Sequence, residues 1–393
     1  MIEGSGRFGG RDALRELADG ALGMTAELIE GFGPRISGTE ADRRARGELR
    51  ARLAESCRET RLEPFGIHPG SLYSIGKIFA LAYLAGAAAA FSGAAWISAA
   101  ALALMSLGLA YFISQFVLYL EIFDALFPGA DAENVVGIVE PTGRVERQIV
   151  LVGHHDSAPV CTFHERFPLL YPIRIFVPIA FYLACLAVHA LHVAGLALAG
   201  AAGAGLRISL LLAGGMLFTA PMFFFMSRRG SPGASDNLIG CAIAIQAARA
   251  LGGKLDSTRL IVLLSDGEEA GQKGARAFIR ANKALLDEIP TSVISIDSIV
   301  DERDLTILDR DRNGFSKLSP ALVGDLKRVA SDLGIELAVK SMPPGGGGTD
   351  AGQFARAGYD AAGIIGVPLA SFRREIVHHT MRDTADRISR PAV

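Results

Sequence analysis

QIVLVGHHDS, residues 148–157, is the stretch that decides the fold. An unbroken aliphatic run of strand length stops at a glycine and gives way to two histidines and an aspartate. The pattern recurs in RLIVLLSDGEE (259–269) and in TSVISID (291–297). Short, fully apolar runs bounded by polar turns read as strands buried on both faces, the signature of a parallel sheet covered by helices. NVVGI (134–138) and AAGIIGV (361–367) add two more strands, and helix-like segments fall at about 237–251, 270–285 and 318–333. The expected fold is α/β, a mostly parallel mixed sheet flanked by helices. In such sheets chemistry gathers just beyond the carboxyl ends of the strands, where these acidic and histidine residues stand.

Further out, the composition changes. Ile78 to Leu120 contains no charged residue, and the run is bounded by Lys77 and Glu121. A single membrane span needs about 20 apolar residues, so this block accommodates two, with a turn near Ser92–Ser98. Ile175 to Leu206 carries no charge except through His189 and His192, and Ile208 to Ser227 follows Arg207 without one. The stretch AGAAGAGLR (199–207) reads as their connection. Soluble helices show a polar stripe and these segments have none, so four transmembrane helices in two inserted hairpins are expected. His189 and His192, three apart on one helical face, read either as functional intramembrane groups or as neutral side chains packed between helices.

The bulk numbers agree. The chain has 393 residues, half of them hydrophobic, and a net charge of −2, which gives no basis for nucleic-acid binding. Four scattered cysteines without a CxxC pair argue against a disulfide framework. The first residues, MIEGSGRFGGRDALREL, lack the apolar core of a signal peptide, so an internal segment is expected to direct insertion. In SGTEADRRARGELRARLAE (37–55), Ser37 followed by Glu40 reads as a capping box opening a helix.

Each polar cluster alone reads more readily as a solvated loop than as a site. Together they follow a fixed order: HHDS at 154–157, GASDNLIG at 233–240, DGEE at 266–269, Asp297, and HHTMRDTAD at 378–386. This order and spelling resemble the co-catalytic di-zinc aminopeptidase family that includes bacterial leucyl aminopeptidases and glutamate carboxypeptidase. The resemblance covers roughly residues 20–70, 130–160 and 230–390 and includes GPRISGTEADRRARGEL (33–49).

What the resemblance implies is specific. His154 binds one metal, with Asp156 orienting its imidazole. Asp236 bridges both metals, Glu268 is the general base and Glu269 a ligand of the second metal. Asp297 completes the first site and His379 the second. Charge balance agrees with this set, because a metal pair at close range needs bridging carboxylate to limit its repulsion. Nitrogen and carboxylate ligands suit two Zn2+, with Co2+ or Mn2+ as substitutes. His155 competes with His154, and His378 with His379, but the His-x-Asp spacing and the family's His-Thr pair favour the first-named choices. PPGGGGTDAGQF (343–354) resembles a loop bordering the substrate pocket, where Asp350 either meets a substrate amine or caps the next helix.

On this reading residues 1–76 form an N-terminal helical part of the peptidase domain. Residues 77–121 are hairpin 1, 130–160 hold the first strands and first ligand, 172–227 are hairpin 2, and 230–393 complete the domain. The expected protein is an integral membrane metallo-aminopeptidase whose partners are the lipid bilayer and a peptide that is hydrophobic or membrane-associated. A carboxypeptidase or dipeptidase, or a non-catalytic receptor-like homologue, remains an alternative; a glutaminyl-cyclase-like activity would use a single zinc. Oligomeric state is left open. Lys77, Arg166, Arg174, Arg228 and Arg229 flank the spans on the catalytic side against Arg207 on the other, which points to a cytosolic catalytic domain.

Overall fold

A computed structural model describes residues 11–196, 204–369 and 376–393. The opening residues 1–10 and the part of the 199–207 connection before Ala204 lie outside the described residues. Eleven strands are described: β1 Glu59–Ile67, β2 Ala130–Val139, β3 Arg147–His154, β4 Pro159–Cys161, β5 Met226–Gly230, β6 Thr258–Ser265, β7 Thr291–Ile299, β8 Thr306–Asp311, β9 Ser316–Lys317, β10 Ala338–Ser341 and β11 Asp360–Gly366. The main sheet runs β1-β2-β6-β3-β7-β11-β8-β10, with β9 on β8.

Its centre, β6-β3-β7-β11, is parallel. β1 and β2 pair antiparallel, as do β2 and β6, and β11 and β8. The expected α/β fold is therefore present, as a mixed sheet whose parallel strands are the middle four and the edge pair β8-β10.

The apolar runs serve both faces. Leu260, Val262 and Leu264 pack with the helices Arg11–Phe32 and Ile239–Leu251 on one side. Ile261 and Leu263 pack with Lys273–Ala281 and Ala351–Arg356 on the other. Alternate side chains point to opposite faces, so burying both demands the unbroken hydrophobicity read in the sequence.

One helix start differs from expectation. Thr39, not Ser37, caps the helix Glu40–Ala54, its hydroxyl accepting from Asp42 N at 3.4 Å. Asp42 closes the reciprocal bond by accepting from Gly38 N. Ser37 instead donates to Asp156 at 3.0 Å, because the chain before the helix is pulled down onto the HHDS turn.

Four helices are long and apolar enough to cross a membrane: Gly70–Ala89, Ala95–Val117, Pro168–Val193 and Gly205–Phe224. They pack together around Phe79, Tyr83, Met105, Tyr182, Cys185 and Leu212. Tyr83 donates to Leu212 O and Tyr182 to Met105 O, both at 2.7 Å, so these two hydroxyls inside the bundle are satisfied. His189 Nε2 lies 2.9 Å from Gly86 O, and His192 Nδ1 lies 2.8 Å from Ser98 Oγ. Both histidines are packed between helices. The outer surface stays apolar, with Trp96 74% and Leu217 79% exposed.

Hairpin 2 leaves the sheet-bearing part of the chain through a narrow neck. β4, just after the HHDS turn, pairs antiparallel with β5, just before GASDNLIG. The two strands bring the ends of the inserted hairpin back together.

Candidate metal centre

Four of the five clusters meet at the carboxyl end of the parallel strands because the sheet puts them there. His154 ends β3, in register with Ser265 at the end of β6. The DGEE turn follows β6, and Asp297 lies near the end of β7. Gly153 lets the Asp236 segment approach, since a Cβ there would stand 2.7 Å from Cys241 N. His379 arrives last, in a turn near the C-terminus with φ of +56°.

Asp236 is the centre of the cluster. Its Oδ1 lies 3.1 Å from His154 Nε2 and its Oδ2 lies 3.1 Å from His379 Nε2. His379 Nε2 is also 3.1 Å from Glu269 Oε2. Around His154 Nε2 stand Asp297 Oδ1 at 3.8 Å and Glu268 Oε2 at 4.0 Å. The candidate ligands of the first resemblance-implied site thus surround His154, those of the second surround His379, and Asp236 reaches both. Ligand atoms of His154, Asp236 and Glu269 lie within 4.8 Å of one another.

The electrostatics are those of a buried anionic site. Burial pushes Glu268 well above the usual carboxylate range, and the neighbouring charges of Asp297 and Asp350 add to it against His154. Glu269 is pushed up to about 7 by burial, with His379 opposing and Asp236 reinforcing. Burial would lower His154, but Asp156, Asp236 and Asp297 more than offset it and hold its pKa well above the usual value. Glu269 Oε1 is buried without a hydrogen-bond partner. Convergent carboxylates and imidazole nitrogens with an orphaned oxygen fit a divalent pair and are hard to satisfy otherwise.

Asp156 sits behind this cluster. Its oxygens accept from Glu268 N at 3.2 Å and Glu269 N at 3.1 Å, and its Oδ1 is 3.4 Å from His154 Nδ1. One carboxylate therefore orients an imidazole and the DGEE turn together. His155 turns the other way, its Nδ1 3.2 Å from Asp42 Oδ1 and its Nε2 3.2 Å from Glu133 O. Asp42, His155 and Asp266 form a second compact group, but the Arg46 guanidinium already neutralises it, 3.7 Å from Asp42 and 3.4 Å from Asp266. His378 faces the buried His164 ring at 5.5 Å, and burial lowers its pKa to about 4 with His379 adding to the effect.

Asp350 makes no cap: the helix Ala351–Arg356 has no side-chain bond from it. It accepts instead from the Ser265 hydroxyl, while its Oδ1 is buried and unpartnered.

Two supporting residues escaped the sequence reading. Asp383 accepts from Ser235 N at 2.8 Å, Ser235 Oγ at 2.6 Å and Asp236 N at 3.2 Å, holding the bridging segment. Arg35 is fully buried and donates to the carbonyls of His155, Gly33, Pro232 and Gly233. Both lie inside quoted motifs, RISG and HHTMRDTAD, but a polar residue in a loop carries no signal of what it will bond.

The C-terminal part of the chain is similar to a known family. Residues 220–393 match the model of peptidase family M28. The M28 match begins where hairpin 2 ends and contains Asp236, Glu268, Glu269, Asp297 and His379; His154 lies before the hairpin and outside it. No curated protein matches the chain by sequence.

Solved structures share the fold. A Zn-dependent exopeptidase from Parabacteroides distasonis superposes with a TM-score of 0.56 at 14% identity, over 95% of this chain and 93% of its own. A glutaminyl cyclase from Bacteroides thetaiotaomicron gives 0.56 at 13% identity, over 95% and 92%. BSAP, a zinc aminopeptidase from Bacillus subtilis, gives 0.55 at 14% identity, over 95% and 91%. The M28 match and this fold support a zinc metallopeptidase.

Proposed function

We propose that this chain is a membrane-bound exopeptidase, an aminopeptidase in the first instance, that works with two zinc ions beside the bilayer. The observation that carries the reading is Asp236, whose two carboxylate oxygens each stand 3.1 Å from a different histidine. His154, Asp236 and Asp297 would hold one ion, and His379, Asp236 and Glu269 the other; Co2+ or Mn2+ are chemically acceptable substitutes. Bound metal supplies Lewis acidity toward the scissile carbonyl.

The chain's own residues supply the rest. Glu268, buried and with its pKa raised, is suited to take a proton from the attacking water and return it to the leaving amine. Asp156 keeps the His154 ring and the backbone of Glu268 in register. The unpartnered Oδ1 of Asp350 is an acceptor suited to a substrate amine.

The four apolar helices with their exposed Trp96, Leu107, Phe176 and Leu217 support anchoring in a bilayer. His154 and Asp236 stand 82 positions apart with hairpin 2 between them, so the cleft opens close to the membrane. A hydrophobic or membrane-associated peptide is the substrate this favours. The basic flanks favour a cytosolic catalytic side.

The test is metal analysis combined with Glu268→Gln on a peptide library, presented in solution and on vesicles. Cleavage should fall by roughly 10²–10⁴-fold with zinc retained. Unchanged cleavage would remove Glu268 from its role. Release of carboxy-terminal residues would turn the reading to a carboxypeptidase, and cyclisation of amino-terminal glutamine would overturn hydrolysis altogether. Equal turnover of small soluble dyes with and without bilayer would count against a membrane-presented substrate.

A further inference from the structure

The end of the first apolar hairpin is clamped to the sheet by the turn between β8 and β9. Asn313 donates to Phe116 O at 3.0 Å, in the last turn of the apolar helix Ala95–Val117, and Arg312 donates to Leu118 O. Just beyond, Lys273 pairs with Asp124 at 2.6 Å and Arg276 with Glu121 at 3.0 Å. The end of a membrane span stands at the level of the lipid headgroups, so these contacts hold the β8–β9 turn at that depth.

A groove of about 470 Å³ opens at this junction, a size typical of small-molecule sites. Its walls are of two kinds. Leu118, Leu120 and Phe315 are apolar, and Phe315 projects from the turn, 65% exposed. Arg312, Lys317 and Arg356 are cationic, and no carboxylate is among the described residues that line the groove. Lys317 and Arg356 are exposed and have no carboxylate partner among the described residues.

Arg312 is the deepest of the three cations, only 6% exposed. Its Nη1 donates to Ser316 Oγ at 3.2 Å, and its guanidinium lies 5.5 Å from the centre of the Tyr119 ring. Its Nε is buried without a hydrogen-bond partner. Burial lowers its pKa, and the like charges of Arg356 and Arg276 add to that effect against Tyr119 and Asp311. A buried charged donor left unpaired between two further cations favours an anion beside it.

We propose that this groove binds the headgroup of an anionic phospholipid. Arg312, Lys317 and Arg356 meet the phosphate, and Leu118, Leu120 and Phe315 meet the first part of the acyl chains. This rests on the reading that the apolar helices span a bilayer. A lipid is favoured over free phosphate because the apolar wall continues into the span, and basic pockets at the ends of spans suit lipid headgroups. The bound lipid then joins the sheet to the membrane surface beside hairpin 1, in addition to the covalent connection.

The experiment titrates phosphatidylglycerol into the full-length protein in uncharged detergent and counts bound lipid by native mass spectrometry. The double variant Lys317→Gln/Arg356→Gln should bind phosphatidylglycerol about tenfold more weakly than the wild type. Lys327→Gln/Arg328→Gln removes the same charge from the helix Pro320–Asp332, outside the groove, and should bind like the wild type. Phosphatidylcholine with the same chains, and inorganic phosphate, should each bind more weakly than phosphatidylglycerol. Equal phosphatidylglycerol affinity in the wild type and the groove variant, an equal loss in the control variant, or equal binding of phosphatidylcholine or phosphate would each overturn the proposal. Recovery of the chain from the aqueous phase without detergent would remove the spanning reading and the lipid site with it. A chain that needs detergent but fails these comparisons loses the lipid site alone.

Discussion

Asp383 shows how a residue that touches no ligand controls one that does. Three donors from Ser235 and Asp236 converge on its carboxylate, and burial pushes its pKa up to about 6 against the opposing Ser235 bonds. Removing it leaves the bridging segment without its anchor. Asp383→Ala should weaken zinc binding by about 10–100-fold, while Asp383→Asn, which keeps an acceptor, should lose less. Competition with a zinc chelator reads both constants; equal affinities in all three proteins would refute the role. The candidate ligands were legible in the sequence because histidine and carboxylate at strand ends are a chemical signal. Asp383 and Arg35 were not, since their partners, mostly backbone groups, are brought near only by folding.

At the scale of elements, the loop 33–39, the HHDS turn and the segment before Asp236 form one unit. Arg35 ties all three, donating to His155 O at 2.9 Å, Pro232 O at 2.9 Å and Gly233 O at 3.1 Å. Burial lowers its pKa to about 10, with Asp156, Asp383 and Asp42 among the groups that oppose the shift. Arg35→Leu leaves those carbonyls buried without donors and should cost about 3 kcal/mol or more, seen as a lower denaturation midpoint. A midpoint within experimental error of the wild type would show that water replaces the guanidinium. The strands were readable here to within a few residues, because unbroken aliphatic runs have few other uses. The capping box was misread at Ser37 because Thr39 offers the same hydroxyl chemistry two residues later, and only tertiary contact with Asp156 chose between them.

For the whole molecule, the buried charges couple folding to pH. Burial pushes Glu269, Asp266 and Asp350 up to about 7, and Glu268 well above its usual value. His154 and His379 are also held well above theirs, their carboxylate neighbours outweighing burial. From about pH 4, the usual carboxylate value, up to about pH 7 the metal-free folded chain therefore holds protons that the unfolded chain has released. This contribution to stability is fully present below the unfolded values and is lost as pH rises through the folded ones. The lowered pKa of His378 works the other way, one group against the several above. Zinc competes with the same protons, so its stabilisation should grow as the pH is raised. Thermal midpoints in detergent should fall from pH 5 to 7 without metal, and the increment from zinc should widen. A metal-free midpoint that climbs over this range would contradict the account.

The sequence by itself determined the α/β sheet, the four apolar helices and the set of residues able to hold metal. Each of these is written in local periodicity or in side-chain chemistry. Only the tertiary structure decided that QIVLVGHHDS turns His154 toward Asp236 and sends His155 to Asp42. Two adjacent histidines have identical chemistry. Which of them faces the charge depends on the twist and register of strands far apart in the chain.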